Sequence, residues 1–220
     1  MGTASVPAVR ARYTRMGLVA LAAALMCAFA QVSFKVGPVP YTMQNAGVVL
    51  AGLLLDPADA ATSMLVYLLL IALGAPVAAG LRGGLAVLLG YTGGYLLGFV
   101  PSAFLMSVLS RLYLRGRGLD SANRRDLLVL LALSAVAVTP TYLLGFLVFS
   151  LYAVPGSKLY AWASGVAGWL GLGGAPGWLV LFVASVAVFV PQDLLMDHVV
   201  AVLAAREVAR LLKARGIRVG

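Results

Sequence analysis

Long, uninterrupted apolar runs are the feature of this chain that leaves the fewest folds open. Each run is near the roughly 20 residues that carry an α-helix across about 30 Å of hydrocarbon. The runs are continuous rather than alternating, so helices, not barrel strands, satisfy the backbone inside lipid. Composition agrees: of 220 residues, 62% are hydrophobic and 10% charged, and the mean hydropathy is +1.01. A soluble domain carries about 25% charged residues, so this chain has too few to wet a soluble surface. The expected fold class is all-α, an integral membrane bundle.

Six helices are expected. The first runs from about Met16 to Ala30, and Gly37-Pro38-Val39-Pro40 follows as a loop because two prolines this close stop a helix. The second, about Gln44 to Leu55, and the third, about Ala58 to Leu73, are short for a full crossing. Such segments belong where they are buried in protein or line a cavity. A glycine-rich stretch leads into the fourth helix, about Tyr91 to Tyr113, and a polar loop of residues 115–125 precedes the fifth, about Asp126 to Tyr152. After a short helix between Lys158 and Leu170, the sixth starts near Pro176. The chain thus divides into a basic N-terminus (1–15), a six-helix membrane domain (16–205) and a basic tail (206–220).

Charge placement supports the count. Arg10, Arg12 and Arg15 precede the first helix; Arg111, Arg115, Arg117, Arg124 and Arg125 surround the loop after the fourth; Arg206, Arg210, Lys213, Arg215 and Arg218 follow the sixth. These are thirteen of the sixteen basic residues. Six crossings put all three clusters on one side, which the positive-inside rule makes the cytoplasm. The expected location is therefore the cell membrane, multi-pass, with both termini cytoplasmic. The net charge of +9 reads as topology, not nucleic-acid binding, since no aromatic-interleaved basic platform accompanies it. Arg10 to Ala30 also has the outline of a signal peptide; retention as a membrane helix is expected because further membrane segments follow.

Lys35, Arg82 and Lys158 remain, all in loops on the other side. They read either as solvated loop charge or as an attractive rim for an anionic ligand. A single cysteine, Cys27, and a single histidine, His198, leave no disulfide and no metal cluster to expect. No Gly-Lys-Ser or Gly-Lys-Thr occurs, so ATP hydrolysis by this chain alone is not expected.

Asp193 is the most informative residue. It lies in the sixth apolar run, where an ionisable side chain costs roughly 2.5–3.5 kcal/mol to insert and faces an interior cavity or a partner. Asp197 is four residues on, sharing its helix face, and Pro191 frees a carbonyl nearby. Asp193 reads as a ligand contact or proton site, or else as part of a structural pair with His198, Thr139 or Thr141. The paired glycines of Thr92-Gly93-Gly94-Tyr95 allow close backbone approach at a helix start. Ala20, Ala24 and Ala28 form a small-residue stripe suited either to internal packing or to docking a partner helix.

Several motifs, taken in order, resemble the BioY family, the substrate-binding membrane components of energy-coupling-factor biotin transporters. They are Gly37-Pro38-Val39-Pro40-Tyr41-Thr42-Met43-Gln44, Ala51-Gly52-Leu53-Leu54-Leu55, Gly74-Ala75-Pro76-Val77, Thr92-Gly93-Gly94-Tyr95-Leu96-Leu97-Gly98-Phe99 and Pro191-Gln192-Asp193-Leu194-Leu195. The resemblance spans roughly Gly17 to Ala205 and departs at Met196, where the family has a lysine. It implies a compact six-helix bundle that binds biotin near its outer face and carries no cofactor. It also implies a transmembrane scaffold subunit and two ATPases as partners, with Ala20, Ala24 and Ala28 docking onto the scaffold. Association of several copies is left open.

In a biotin site, Asp193 is expected to accept from the ureido N–H groups. Gln44 and Asn45 are expected to serve the ureido carbonyl, with Tyr95 and Thr92 beside the ring. Arg82, then Lys35, is the candidate cation for the ligand's carboxylate. A different vitamin or a biotin precursor on the same scaffold is the alternative ligand. The remaining alternative is an intramembrane enzyme using Asp193, Asp197 and His198 for acid–base work.

Overall fold

The computed structural model describes residues 6–34 and 37–217, with the side chains of the first helix from Arg12 onward. Helix α1 (Val6–Gln31) begins well before the expected start. Two short strands, β1 (Ser33–Phe34) and β2 (Tyr41–Thr42), pair antiparallel across the Gly-Pro loop. Helices α2 (Gln44–Leu54) and α3 (Pro57–Ala72) follow, the latter opened by a proline at its first turn, where the missing N–H costs nothing. A single turn, α4 (Leu85–Leu88), leads to α5 (Gly93–Leu114).

The expected fifth helix is two: α6 (Arg124–Ala137) and α7 (Thr139–Tyr152) meet at Val138. Pro140 removes one rung of the backbone ladder there. The two still form one apolar span, Arg124–Tyr152. Asn123 and Asp126 close a reciprocal capping box at the start of α6. After α8 (Lys158–Trp169) come α9 (Gly177–Phe182), a π-helical turn Val183–Ala187, α10 (Val190–Gln192), a second π turn Asp193–His198 and α11 (Val199–Ala214). Together they make one apolar span, Gly177–Ala214. The π turns flank Pro191, whose missing N–H forces the ladder to change register.

Among the described residues four spans are long and apolar enough to cross a membrane, and α2 and α3 are shorter apolar helices, giving the six expected. At 1.5 Å per residue α2 is about 16 Å long, half a crossing. It is tolerated because it sits at the centre: ten of its eleven residues are buried. Gly52 lets it meet Met106 and Ala103 of α5, and Gly47 lets it meet Met26 of α1. Helix α1 packs through Ala23, Met26 and Ala30, while Ala20, Ala24 and Ala28 are exposed on the opposite face. Internal packing is therefore not the role of that stripe. Four of the basic residues gather at one end, where Arg15 pairs with Asp59, Arg111 with Asp56, Arg117 with Asp126 and Lys213 with Asp120.

Candidate ligand cavity

At the end of the bundle away from the basic clusters, α2, α5, α7 and the Pro191 region enclose a cavity with about 640 Å³ of atom-free space, mouth included. Gln44, Asn45, Arg82, Thr92, Tyr95 and Asp193 all line it. Six of the seven expected ligand residues, from four separate stretches of chain, thus share one space. The seventh, Lys35, lies outside the described residues.

Asp193 is 5% exposed and anchors the inner end. Its Oδ2 accepts from Asn45 Nδ2 at 2.8 Å and from the Tyr142 hydroxyl. Neither bond uses Oδ1. The structural partners considered from sequence, His198, Thr139 and Thr141, are not its partners; Thr141 bonds Ser102 at 2.9 Å. The Asn45 amide is oriented by the same carboxylate. Its amide N–H faces the carboxylate, since an amide oxygen there would be repelled, and its Oδ1 is buried without a protein partner. Asn45 thus presents a free acceptor, and its amide keeps a second N–H.

Other expectations are narrowed in the same way. Gln44 accepts from the Thr42 hydroxyl at 2.9 Å and donates to Tyr67 at 2.9 Å, which leaves one N–H free. The Tyr95 hydroxyl donates to the Ser185 carbonyl at 2.6 Å, so it can only accept from a ligand, and its ring is free to pack. That ring lies on Gly145, where a Cβ would come within 2.3 Å of it. Arg82 donates to the Ala79 carbonyl at 3.0 Å and has no carboxylate partner among the described residues. It also lines an adjoining pocket with Gly37, Pro38 and Tyr91, so it stands at the mouth while Asp193 stands at the base. Its loop is held by Gln31, which donates to the carbonyls of Val77 (3.1 Å) and Ala78 (3.2 Å) and accepts from Leu81 N (3.1 Å).

Between the two ends the walls are Val39, Phe99 and Phe189. Tyr41 stacks on Phe189 with ring centroids 4.3 Å apart, closing the Gly-Pro loop over the cavity. The Tyr91 hydroxyl holds the same loop through the Pro38 carbonyl at 2.9 Å.

Asp197 and His198 are fully buried but do not line the cavity. Asp197 accepts from Ala46 N at 3.2 Å and from Gln192 Nε2 at 3.1 Å. It caps the first turn of α2 from another helix, where free N–H groups and the helix dipole favour an anion. His198 Nδ1 meets the Ser134 hydroxyl at 2.7 Å on α6. Each of the three groups has its own partners, so they do not converge as acid–base chemistry on one substrate requires. Met196 is 44% exposed and away from the cavity.

A multi-pass helical bundle with a cavity that has a carboxylate at its base and a guanidinium at its mouth is built to hold a small polar molecule. The chain belongs to the BioY family, whose model matches residues 4–214. It is 49% identical over 90 residues to a probable biotin transporter BioY of Pyrococcus horikoshii, covering 41% of this chain and 56% of that protein. It is 42% identical over 96 residues to the biotin transporter BioY of Rhizobium etli, covering 42% and 51%. In these matches the chain spans about half the length of its relatives. The fold is that of the S-component for biotin from an ECF-type ABC transporter, with a TM-score of 0.69 at 21% identity, over 94% of this chain and 95% of that one.

Proposed function

We propose that this chain binds biotin in the cavity and is the substrate-binding component of a biotin uptake system in the cell membrane. The observation that carries this is the polarity of the cavity: acceptors at the base, aromatic and aliphatic walls, a cation at the mouth. Biotin has two N–H donors at one end and a carboxylate at the other. The ureido N–H groups meet Asp193 Oδ1 and Asn45 Oδ1, and the remaining N–H of Gln44 serves the ureido carbonyl. The bicycle lies against Tyr95, Phe99 and Phe189, and Thr92 lines the wall beside it. The chain of methylenes runs outward to bring the carboxylate to Arg82, a charge-assisted contact. The names of the relatives support the same ligand.

In this reading the basic end is cytoplasmic and the cavity opens outside. A transmembrane scaffold subunit and two ATPases supply the energy, and the exposed Ala20, Ala24 and Ala28 face of α1 docks on the scaffold. No cofactor takes part, and the chain itself catalyses nothing.

Binding of labelled biotin to the purified protein tests the proposal. Binding is expected and is lost in Asp193→Ala. Arg82→Ala weakens biotin but leaves biotin amide, which lacks the negative charge, nearly unchanged. Absence of biotin binding at micromolar concentration would overturn the assignment, and mass spectrometry of any co-purified ligand would then name the substrate.

A further inference from the structure

Away from the cavity, a groove runs between α6 and α11 at the basic end of the bundle. Leu127, Leu128 and Leu131 wall it on one side and Val199, Val202 and Leu203 on the other, with Arg124 at its mouth. About 730 Å³ of atom-free space lies over it, open solvent included. The Ser134–His198 contact of 2.7 Å sets the level of the two antiparallel helices. From it Arg124 lies ten residues away along α6, roughly 15 Å, and Arg206 eight residues away along α11, roughly 12 Å in the same direction. The two arginines thus stand within about 3 Å of the same level. Arg206 follows Val202 by four residues and Leu203 by three, so it continues the groove's own face.

Neither arginine has an ion pair or hydrogen bond among the described residues, and Arg206 Nε is buried with no acceptor. At the same end Arg15, Arg111, Arg117, Arg210 and Lys213 each meet a carboxylate. A guanidinium with a buried, unpaired N–H is costly unless an anion reaches it. The anion that reaches a lipid-facing groove carries an acyl chain with it, and basic pockets between membrane helices on the cytoplasmic side suit such headgroups.

We propose that this groove binds one anionic phospholipid, its acyl chain along the leucine and valine walls and its phosphate bridged by Arg124 and Arg206. The charge at the mouth sets the preference for the anionic headgroup, and the dry walls set the requirement for a chain.

The test titrates the detergent-purified protein with phosphatidylglycerol, phosphatidylcholine and glycerophosphoglycerol, the headgroup without chains. Native mass spectrometry reads lipid retention. Phosphatidylglycerol is expected to be retained about tenfold or more above phosphatidylcholine, and the bare headgroup not at all. Combining Arg124→Ala with Arg206→Ala brings the anionic lipid down to the level of phosphatidylcholine, with unfolding in phosphatidylcholine unchanged. Combining Arg124→Lys with Arg206→Lys keeps most of the preference. Leu128→Trp, at an exposed position, fills the groove and lowers retention of both lipids. Equal retention of the two lipids by the parent overturns the proposal, as does a preference that survives the double alanine variant. Binding of the bare headgroup as well as the lipid overturns it too, as does an equal loss in Arg215→Ala, an exposed arginine beyond the groove.

Discussion

At the scale of single residues, the cavity rests on one carboxylate held by two donors. The Tyr142 hydroxyl and Asn45 Nδ2 both bond Asp193 Oδ2, which leaves Oδ1 for the ligand. Tyr142→Phe keeps the ring and removes one of those donors. A hydrogen bond to a charged group is worth roughly 1.5–3 kcal/mol, so biotin binding by this variant is expected to weaken about tenfold or more. Isothermal titration against the parent checks it; an unchanged affinity would remove Tyr142 from the site. Asp193 was legible in the sequence because a charge inside an apolar run carries an insertion cost that only a function or a partner offsets. Tyr142 was not, since a tyrosine among apolar residues on a membrane helix carries no such cost. The direction of the Asn45 amide and the committed proton of the Tyr95 hydroxyl were also hidden, because they depend on Asp193 and Ser185, 148 and 90 residues away in the chain.

At the scale of elements, close helix packing positions the site. A Cβ on Gly94 would lie 2.1 Å from the Leu144 carbonyl oxygen, and one on Gly98 would lie 2.4 Å from Thr141 Cα. Both obstacles are backbone atoms of α7, which cannot swing aside. A Cβ on Gly47 meets chiefly the Met26 sulfur, the movable end of a flexible chain. Gly98→Ala is therefore expected to cost about 1–3 kcal/mol, lowering the apparent melting temperature by roughly 2–12 °C, while Gly47→Ala stays near the parent. Differential scanning fluorimetry reads both, and the reverse order would show that α5 and α7 have room to part.

The tail of α11 is fastened differently. Lys213 bonds the Asp120 carboxylate at 2.6 Å and holds it below the ordinary carboxylate range. A folded-state value lower than the unfolded one means that this contact contributes above the unfolded value and fades as pH falls through the folded one. Protection of the amides in the last turns of α11, relative to their intrinsic exchange rates, is thus expected to fall on acidification in the parent, and already at neutral pH in Asp120→Asn. The apolar lengths that define the helices were readable from the chain alone. The break at Val138 and the π turns around Pro191 were not, because a proline marks where a ladder is interrupted and the packing decides how it resumes.

At the scale of the whole molecule, two independent regularities agree. Counting apolar runs gives six helices, and gathering thirteen basic residues on one side also requires an even number of crossings. The structure brings Arg15, Arg111, Arg117 and Lys213 to one end, with the cavity at the other. Orientation then follows from which leaflet that basic end meets. Cys27 is the one cysteine, half-buried, so replacing it with alanine gives a background for single-cysteine labelling. Gly174 lies in the loop before α9, on the side of the cavity, with open space around it. Arg215 ends α11 at the basic end. In intact cells a membrane-impermeant maleimide is expected to label Gly174→Cys at once and Arg215→Cys only after permeabilisation. Labelling of Arg215→Cys in intact cells would invert the bundle. The Arg82 mouth would then open to the cytoplasm, and uptake from outside through this cavity would be ruled out, whatever its affinity for biotin.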